Sequence, residues 1–205
     1  MELRADCGRC AALCCTAPAF AASADFALDK PAGQPCPHLG AGFRCGIHDR
    51  LRARGFPGCA AYDCFGAGQR VTQETFGGRD WRQAPADAGQ MFAVFGVMRQ
   101  LHELLWYLGE AAAAVSGPLQ ADLRRAALST SRLASGRPAV LAALDLAGHR
   151  REVNVLLLRA SEVAREPASP GADLRGADLA GQDLRGADLS GASLRGAGLI
   201  GTDLR

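Results

Sequence analysis

The chain has 205 residues, of which 48% are hydrophobic and 21% charged, so its composition favours a packed core over disorder. Its net charge of +2 is too small to indicate nucleic-acid binding by itself. No apolar run reaches the roughly 18 residues of a membrane span, and the N-terminus lacks the apolar core of about 7–15 residues found in signal peptides. We therefore expect a cytoplasmic protein with neither nucleic acid nor membrane as partner.

Three segments differ in composition. Residues 1–80 hold every cysteine together with many prolines and glycines, which predicts irregular loops and short helices organised by ligands. Residues 81–168 have helical periodicity and predict a small helical bundle. Residues 169–205 are repetitive and are predicted to form a third unit.

The cysteines of the first segment are its most informative feature. The sequence begins with Cys7-x2-Cys10-x3-Cys14-Cys15 and continues with Cys36, Cys45, Cys59 and Cys64. A two-residue gap lets two thiolates approach one ion, and the first three cysteines approach the C-x2-C-x2-C run of bacterial iron–sulfur proteins. All eight are candidate metal ligands, for zinc or an iron–sulfur cluster, with copper less favoured because no Met-rich motif accompanies them.

Adjacent Cys14 and Cys15 raise the question of how many sites are built. Neighbouring side chains point apart in extended backbone, so one ion seldom takes both. Eight thiolates suffice for two four-coordinate sites or for one cluster with spares. His38 and His48 lie within the array and are further candidate ligands, although an exposed loop histidine is the commoner case.

Two readings without metal stay open. A disulfide framework would need an oxidising compartment, which the missing signal peptide opposes. Alternatively, the thiols are buried and inert, as single cysteines often are.

The cysteine pattern resembles a known family. Besides the first run, the chain contains Cys36-Pro37-His38-Leu39, then Cys45-Gly46-Ile47-His48, then a tail from Pro57 to Cys64. Residues 7–64 thus resemble the bacterial CxxCxxCC group, described as zinc- or iron-chelating domains and including a flagellin lysine methylase. The chain departs from the pattern in its three-residue first gap, in His48 where tyrosine is usual, and in Phe56-Pro57 where Arg-Pro is usual. The resemblance implies metal binding, and we do not carry over a reaction.

Helical periodicity follows. One apolar stripe predicts a long helix, with members at Met91, Val94, Met98, Leu101, Leu105 and Leu108. Gly117-Pro118 predicts the start of a second helix. A short helix is expected from Pro138 to about Ala147, with Gly148 as its left-handed C-cap, and a last one from His149 to Glu166, stopped by Pro167 and Pro170.

The third segment has a period of five residues. From Ala172 it reads ADLRG, ADLAG, QDLRG, ADLSG, ASLRG, AGLIG and TDLR. It resembles the pentapeptide-repeat family, whose fold is a right-handed, four-sided β-helix. The overall expectation is therefore an α+β protein of three parts: a Cys-rich metal-organised domain, a helical bundle and a short right-handed quadrilateral β-helix.

Repeats four apart should stack on one face, with Arg175 over Arg195 and Arg185 over Arg205. Gln182 and Thr202 should then form an inward polar pair. Fewer than two coils are present, so the repeats are expected to lean on the bundle, to dimerise, or to continue in a longer chain.

The leading functional hypothesis is a metal-binding protein that holds zinc or an iron–sulfur cluster on a helical and repeat scaffold. A metal- or cluster-dependent modifying enzyme is one alternative, suggested only by the methylase relative. A repeat-driven interaction protein, with a protein partner or a homodimer through the repeats or the bundle, is the other. No nucleotide-binding or catalytic motif occurs in the sequence.

Overall fold

Residues 2–165 and 171–204 are described by a computed structural model, and their regular structure is helical. The α-helical segments are α1 (Leu13–Thr16), α2 (Pro57–Ala61), α3 (Ala67–Gln69), α4 (Ala88–Ala114), α5 (Gly117–Ala134), α6 (Pro138–Ala142) and α7 (Leu146–Arg165). A π-helical turn, Arg70–Thr75, continues α3. Short 3₁₀ turns occupy Cys7–Arg9, His48–Arg50, Arg52–Arg54 and Pro85–Asp87.

The predicted α+β class and quadrilateral β-helix are wrong. Across residues 2–165 and 171–204 the structure has no strand, sheet or barrel. The repeats instead pair through isolated parallel bridges that join Asp173 to Ser193, Asp178 to Gly198 and Asp183 to Asp203. A five-residue period leaves a single bridging residue between successive turns, which is too short for a continuous ladder.

The bridges do confirm the stacking of repeats four apart. Each joins residues twenty positions apart in the sequence, and the Gly176 amide donates to the Arg195 carbonyl at 2.9 Å. Arg175 and Arg195 therefore lie on neighbouring turns as predicted, whereas the stacking of Arg185 on Arg205 falls outside the described residues.

The predicted inward pair of Gln182 and Thr202 is wrong. Gln182 is exposed, and its amide contacts the Asp178 carbonyl at 3.4 Å. The Thr202 hydroxyl donates to the Leu179 carbonyl at 2.8 Å, which satisfies it without a glutamine. A backbone acceptor within reach removed the need for the paired arrangement.

Helix α4 is the centre of the fold because its apolar stripe is buried along its whole length, as predicted. Its first half packs in one cluster with Leu13, Ala67 and Val71, so the Cys-rich segment shares a core with this helix. Its second half packs with α5 and α7 through a cluster that includes Leu123 and Val153. The candidate ligands are therefore mounted on the same core as the bundle.

Helix boundaries match the prediction in α5 and differ at Gly148. Helix α5 begins at Gly117 with Pro118 in its first turn. Gly148 lies inside α7 and does not cap α6, because the Asp145 carboxylate accepts the Gly148 amide at 2.9 Å and starts the next helix. Glu166, Pro167 and Pro170 lie outside the described residues, so the predicted stop of the last helix is untested.

Within the described part of the chain, no helix combines the length and the apolar character needed to cross a membrane. The repeats contact the bundle through an ion pair of 3.8 Å between Arg175 and Glu162 of α7.

Candidate metal centre

The first cysteine run is held in place by side chains from beyond residue 65. The Thr72 hydroxyl accepts the Ala11 amide at 3.1 Å, and the Trp81 indole donates to the Ala11 carbonyl at 2.8 Å. Ala12 then adopts a left-handed conformation, with φ of 53°, that turns the chain into α1. Both backbone polar groups of Ala11, its amide and its carbonyl, are therefore hydrogen-bonded, and this fixes the loop between Cys10 and Cys14.

Cys64 comes to the same place from the other end of the segment. A Cβ added at Gly68 of α3 would stand 2.5 Å from the Cys10 sulfur and 4.0 Å from the Cys64 sulfur. Glycine at this position therefore leaves room for two thiols over the helix backbone. Cys10, Cys14 and Cys64 also pack against the same apolar cluster, the one that contains Leu13.

Backbone amides influence the ionisation of two of the thiols. The amides of Ala12 and Leu13 act on Cys10, and the amide of His38 acts on Cys36; each lowers the pKa of that thiol. Burial has the largest effect, ahead of the Leu13 amide and of the neighbouring cysteines, and it raises the pKa of Cys10 to about 11. These amides stabilise thiolates, as backbone donors do around metal-bound sulfur.

The second part of the segment brings together cysteines that are far apart in sequence. The Cys36 amide donates to the Cys15 carbonyl at 2.9 Å, and Cys45 forms an antiparallel bridge with Leu39. Cys59, on α2, packs with Cys45 against the cluster of Ile47, Leu51 and Phe56. Burial first, then the charges of the Cys15, Cys36 and Cys45 thiolates, raise the pKa of Cys59 to about 11.

Cys14 and Cys15 both lie on α1, with their sulfurs 4.0 Å apart. A thiol hydrogen bond from Cys14 lowers the pKa of Cys15 to about 7, burial opposes this, and the Lys30 ammonium lowers it further. The same interaction raises the pKa of Cys14. Cys15 is therefore the thiol of the pair that ionises first.

Two predicted candidates, His38 and His48, are placed differently. The His38 ring packs edge-to-face on Phe56, with centroids 5.3 Å apart, while its amide serves Cys36. His48 is exposed on a short turn. Neither imidazole is brought to a sulfur by any described contact.

Several residues of the site were missed from sequence. Lys30 is 3% exposed, and its ammonium donates to the carbonyls of Thr16, Pro31 and Gln34 at 2.9–3.1 Å. The sequence does make Lys30 conspicuous, because it is the single lysine of the chain. Gly68 and Trp81 carried no signal, because their contacts with the cysteine loop span more than 55 residues.

All eight cysteines are described, and all are free thiols. Among the described residues, no group of three or more His, Cys, Asp or Glu side chains is arranged to hold a metal ion. Thiol sulfur is nonetheless the donor type that thiophilic metals prefer, and Gly68 leaves room for the sulfurs of Cys10 and Cys64. Cavities of about 310 and 360 Å³ lie instead at the repeats and at the α5–α7 groove, and no cysteine lines either.

Comparisons with known proteins agree with part of this description. Residues 172–205 match the family of pentapeptide repeats, so this segment is a pentapeptide-repeat segment. The chain is also 49% identical over 183 residues to "Uncharacterized protein YybG" of Bacillus subtilis (strain 168), a match that covers 87% of this chain and 66% of that protein. The similarity extends far beyond the 34 residues of the repeats. The chain spans just under two thirds of that relative's length. No solved structure matches.

Proposed function

We propose that residues 7–64 bind metal through their cysteines, as zinc or an iron–sulfur cluster, with the helices and pentapeptide repeats as scaffold. The observation that carries the proposal is the packing of Cys10, Cys14 and Cys64 against one apolar cluster, where the amides of Ala12 and Leu13 also lower the pKa of Cys10. Amides directed at sulfur favour the thiolate, and the thiolate is the form that binds metal.

Burial of the thiols supplies the driving force. Burial first, with a further contribution from neighbouring thiolates, raises the pKa of Cys10 and of Cys59 to about 11, so without a cation these two thiols keep their protons. A metal cation displaces the thiol protons, and its positive charge attracts thiolates that would otherwise repel one another. We further propose a reducing compartment such as the cytoplasm, where eight free thiols persist.

Anaerobic purification tests this function. Elemental analysis and an absorption spectrum of the full chain should find either zinc in colourless protein or iron with sulfide in coloured protein. The variant with both Cys10→Ser and Cys36→Ser should lose most of the bound metal. The matched control, Ala93→Ser on the exposed side of α4, should keep it. A folded wild-type chain free of metal would refute the proposal.

A further inference from the structure

One face of α4 stays at the surface of the bundle. Its members recur at alternating steps of three and four residues, the spacing that forms a seam between two packed helices. They are Gly96, Arg99, Glu103, Trp106, Glu110 and Ala113. Four of them are exposed, and Arg99 and Glu103 are partly exposed. We call this set the outer seam of α4.

Aromatic rings surround the middle of the outer seam. Trp106 and Tyr107 are both exposed, with ring centroids 5.3 Å apart, and the Trp106 ring lies 5.9 Å from that of Phe65. Tyr62 is exposed beside them, and the Arg99 guanidinium lies over its ring at 5.3 Å. Both tyrosines of the chain and one of its two tryptophans are therefore gathered on this face. Trp, Tyr and Arg are the residues that most often dominate binding at protein interfaces.

The outer seam complements itself in charge. In an antiparallel pair of α4 helices with a two-fold axis between positions 104 and 105, residues equally far from the axis face each other. Arg99 and Glu110 are equally far from this axis, so each arginine faces a glutamate of the second copy. Within one chain these two residues stand about 16 Å apart along the helix, at about 1.5 Å per residue, which is too far for them to pair. The two-fold arrangement therefore forms two ion pairs that a single chain cannot form.

The ends and the centre of the outer seam fit the same register. Gly96 faces Ala113 of the second copy, so small residues meet at both ends and let the helices approach closely. No described atom lies within 4 Å of a Cβ added at Gly96, which leaves that end open to a partner. At the centre, Glu103 of each copy faces Trp106 of the other. Every position of the seam thus has a counterpart within the seam itself.

Arg99 is held in place before any partner arrives. Its Nε donates to the Asp63 carbonyl at 3.3 Å, and its terminal nitrogens contact the Glu103 carboxylate at 3.4 Å. A guanidinium has five N–H donors, so these contacts leave donors for a second carboxylate. A side chain that is ordered in advance loses less conformational entropy on binding.

We propose that the chain forms a two-fold symmetric homodimer through the outer seam of α4, with Arg99 of each copy paired to Glu110 of the other. The occupant is a second copy because the charges of the seam complement the seam itself. Tyr62 and Phe65 stand on either side of Cys64 in the sequence, so the interface lies beside the Cys-rich segment. The seam contains no cysteine, and the dimer does not depend on metal.

Charge reversal tests the dimer and its register together. Sedimentation equilibrium of the full chain, with a reductant and a chelator to exclude disulfide and metal links, should give twice the mass of one chain. Arg99→Glu and Glu110→Arg each place like charges opposite each other, and each should raise the dissociation constant of the dimer at least about tenfold. The two substitutions combined should restore the dimer. A wild type that stays monomeric at every concentration overturns the proposal, and a double variant that does not reassociate overturns the register.

Two control variants show whether the effect belongs to the outer seam. Arg124→Glu reverses an exposed charge on α5 and should leave the dissociation constant unchanged. Trp106→Phe keeps an aromatic ring in the seam and should also leave the dimer in place. Glu110 is exposed, so Glu110→Arg should keep the helical circular dichroism of the wild type and remains informative if an Arg99 variant fails to fold. Equal weakening by Arg124→Glu and Glu110→Arg would overturn the assignment of the interface to this face.

Discussion

The indole of Trp81 donates a hydrogen bond of 2.8 Å to the carbonyl of Ala11, seventy residues earlier in the chain. The same ring contacts Phe43 and Phe92 edge-to-face, with centroids 5.7 and 6.1 Å apart. The loop between Cys10 and Cys14 is thus positioned by a residue that follows the Cys-rich stretch.

Replacing this indole should loosen the loop. Trp81→Phe keeps most of the ring contacts and removes the donor, leaving the Ala11 carbonyl unpaired; Ala11 is 2% exposed. We expect a loss of about 1–2 kcal/mol in the free energy of unfolding, measured by urea denaturation, together with weaker metal binding. Trp106→Phe is the control, because Trp106 is 42% exposed, and it should change stability by less than about 0.5 kcal/mol. Equal effects of the two substitutions would contradict the role of Trp81.

Gly68 should resist a substitution that usually stabilises helices. Alanine in place of glycine in a helix interior gains about 0.8–1 kcal/mol from propensity alone. At Gly68 the added Cβ would stand 2.5 Å from the Cys10 sulfur, so the thiol must move. We expect Gly68→Ala to lower thermal stability and to release metal.

The control for this substitution is Gly109→Ala on α4, where no atom lies within 4 Å of the added Cβ. It should raise the midpoint of thermal unfolding and leave the metal content unchanged. A stabilising effect of Gly68→Ala with full metal content would mean that the space beside Cys10 is not needed.

Lys30 ties together the backbone on which Cys15 and Cys36 are mounted. Lys30→Met keeps much of the volume and leaves the carbonyls of Thr16, Pro31 and Gln34 without their shared donor. We expect a destabilisation of about 1–3 kcal/mol, since buried acceptors lose their partner. Weaker metal binding should accompany it, because the cation near Cys15 is also lost.

Arg50→Met is the comparison for Lys30→Met. Arg50 forms an exposed ion pair of 3.5 Å with Asp49, and such pairs contribute little. Its substitution should change stability by less than about 1 kcal/mol in the same urea assay. If Lys30→Met lowers the free energy of unfolding by no more than Arg50→Met does, the hydrogen bonds from the Lys30 ammonium to the three carbonyls are not important for stability.

The imidazole of His102 predicts a pH dependence of stability. His102 is fully buried, and one ring nitrogen, Nδ1, lies 2.7 Å from the Phe65 carbonyl, which fixes it as the donor. Burial lowers the pKa of His102, the Phe65 hydrogen bond opposes this, Arg70 lowers it further and Glu74 raises it. The unfolded chain therefore takes up this proton at a higher pH than the folded chain does.

Stability linked to His102 should be complete above the unfolded pKa of about 6.5 and should fall as the pH drops below it. Urea midpoints between pH 7.5 and 5.5 should decline more steeply in the wild type than in His102→Gln, whose amide can still donate to Phe65. Subtracting the two profiles removes the shared effect of thiol protonation on metal binding. His48→Gln, at an exposed position, should follow the wild-type profile, and parallel profiles for all three proteins would contradict the prediction.

Local features could be predicted from the sequence, and contacts through space could not. The stripe from Met91 to Leu108 and the start of α5 at Gly117 follow from spacing and from proline geometry within a few residues. Gly148 was wrongly predicted to be a C-cap, because in the sequence a glycine that ends one helix cannot be distinguished from a glycine in the first turn of the next. The structure distinguishes them, since the Asp145 carboxylate accepts the Gly148 amide. The meeting of Cys10 with Cys64 over Gly68 joins residues 54 positions apart, which spacing within a motif does not encode.

The repeats differ from the predicted β-helix for a related reason. Their period predicts which turns stack, and the bridges at Asp173, Asp178 and Asp183 confirm this. The period does not determine whether the stacked residues extend into strands, and here each turn contributes one bridging residue. Gln182 could turn outward because Thr202 had a backbone acceptor of its own.

Leu179 should carry most of the local stability of the repeats. It is 7% exposed, and its amide donates to the Gly198 carbonyl at 2.9 Å, so its side chain lies where two turns meet. Leu179→Ala leaves a cavity that should cost about 2–5 kcal/mol. Because the repeats contact α7 through the exposed pair of Arg175 and Glu162, the loss should stay local.

Hydrogen exchange can separate this local loss from global unfolding. Amides of Leu174, Leu179 and Leu184, which donate to the neighbouring turn, should exchange faster in Leu179→Ala, while amides of α4 should keep their protection. Ile200→Ala is the control, since Ile200 is 86% exposed and its loss removes little buried surface. Faster exchange in α4 as well would mean that the repeats and the bundle unfold together, and that the exposed ion pair understates their coupling.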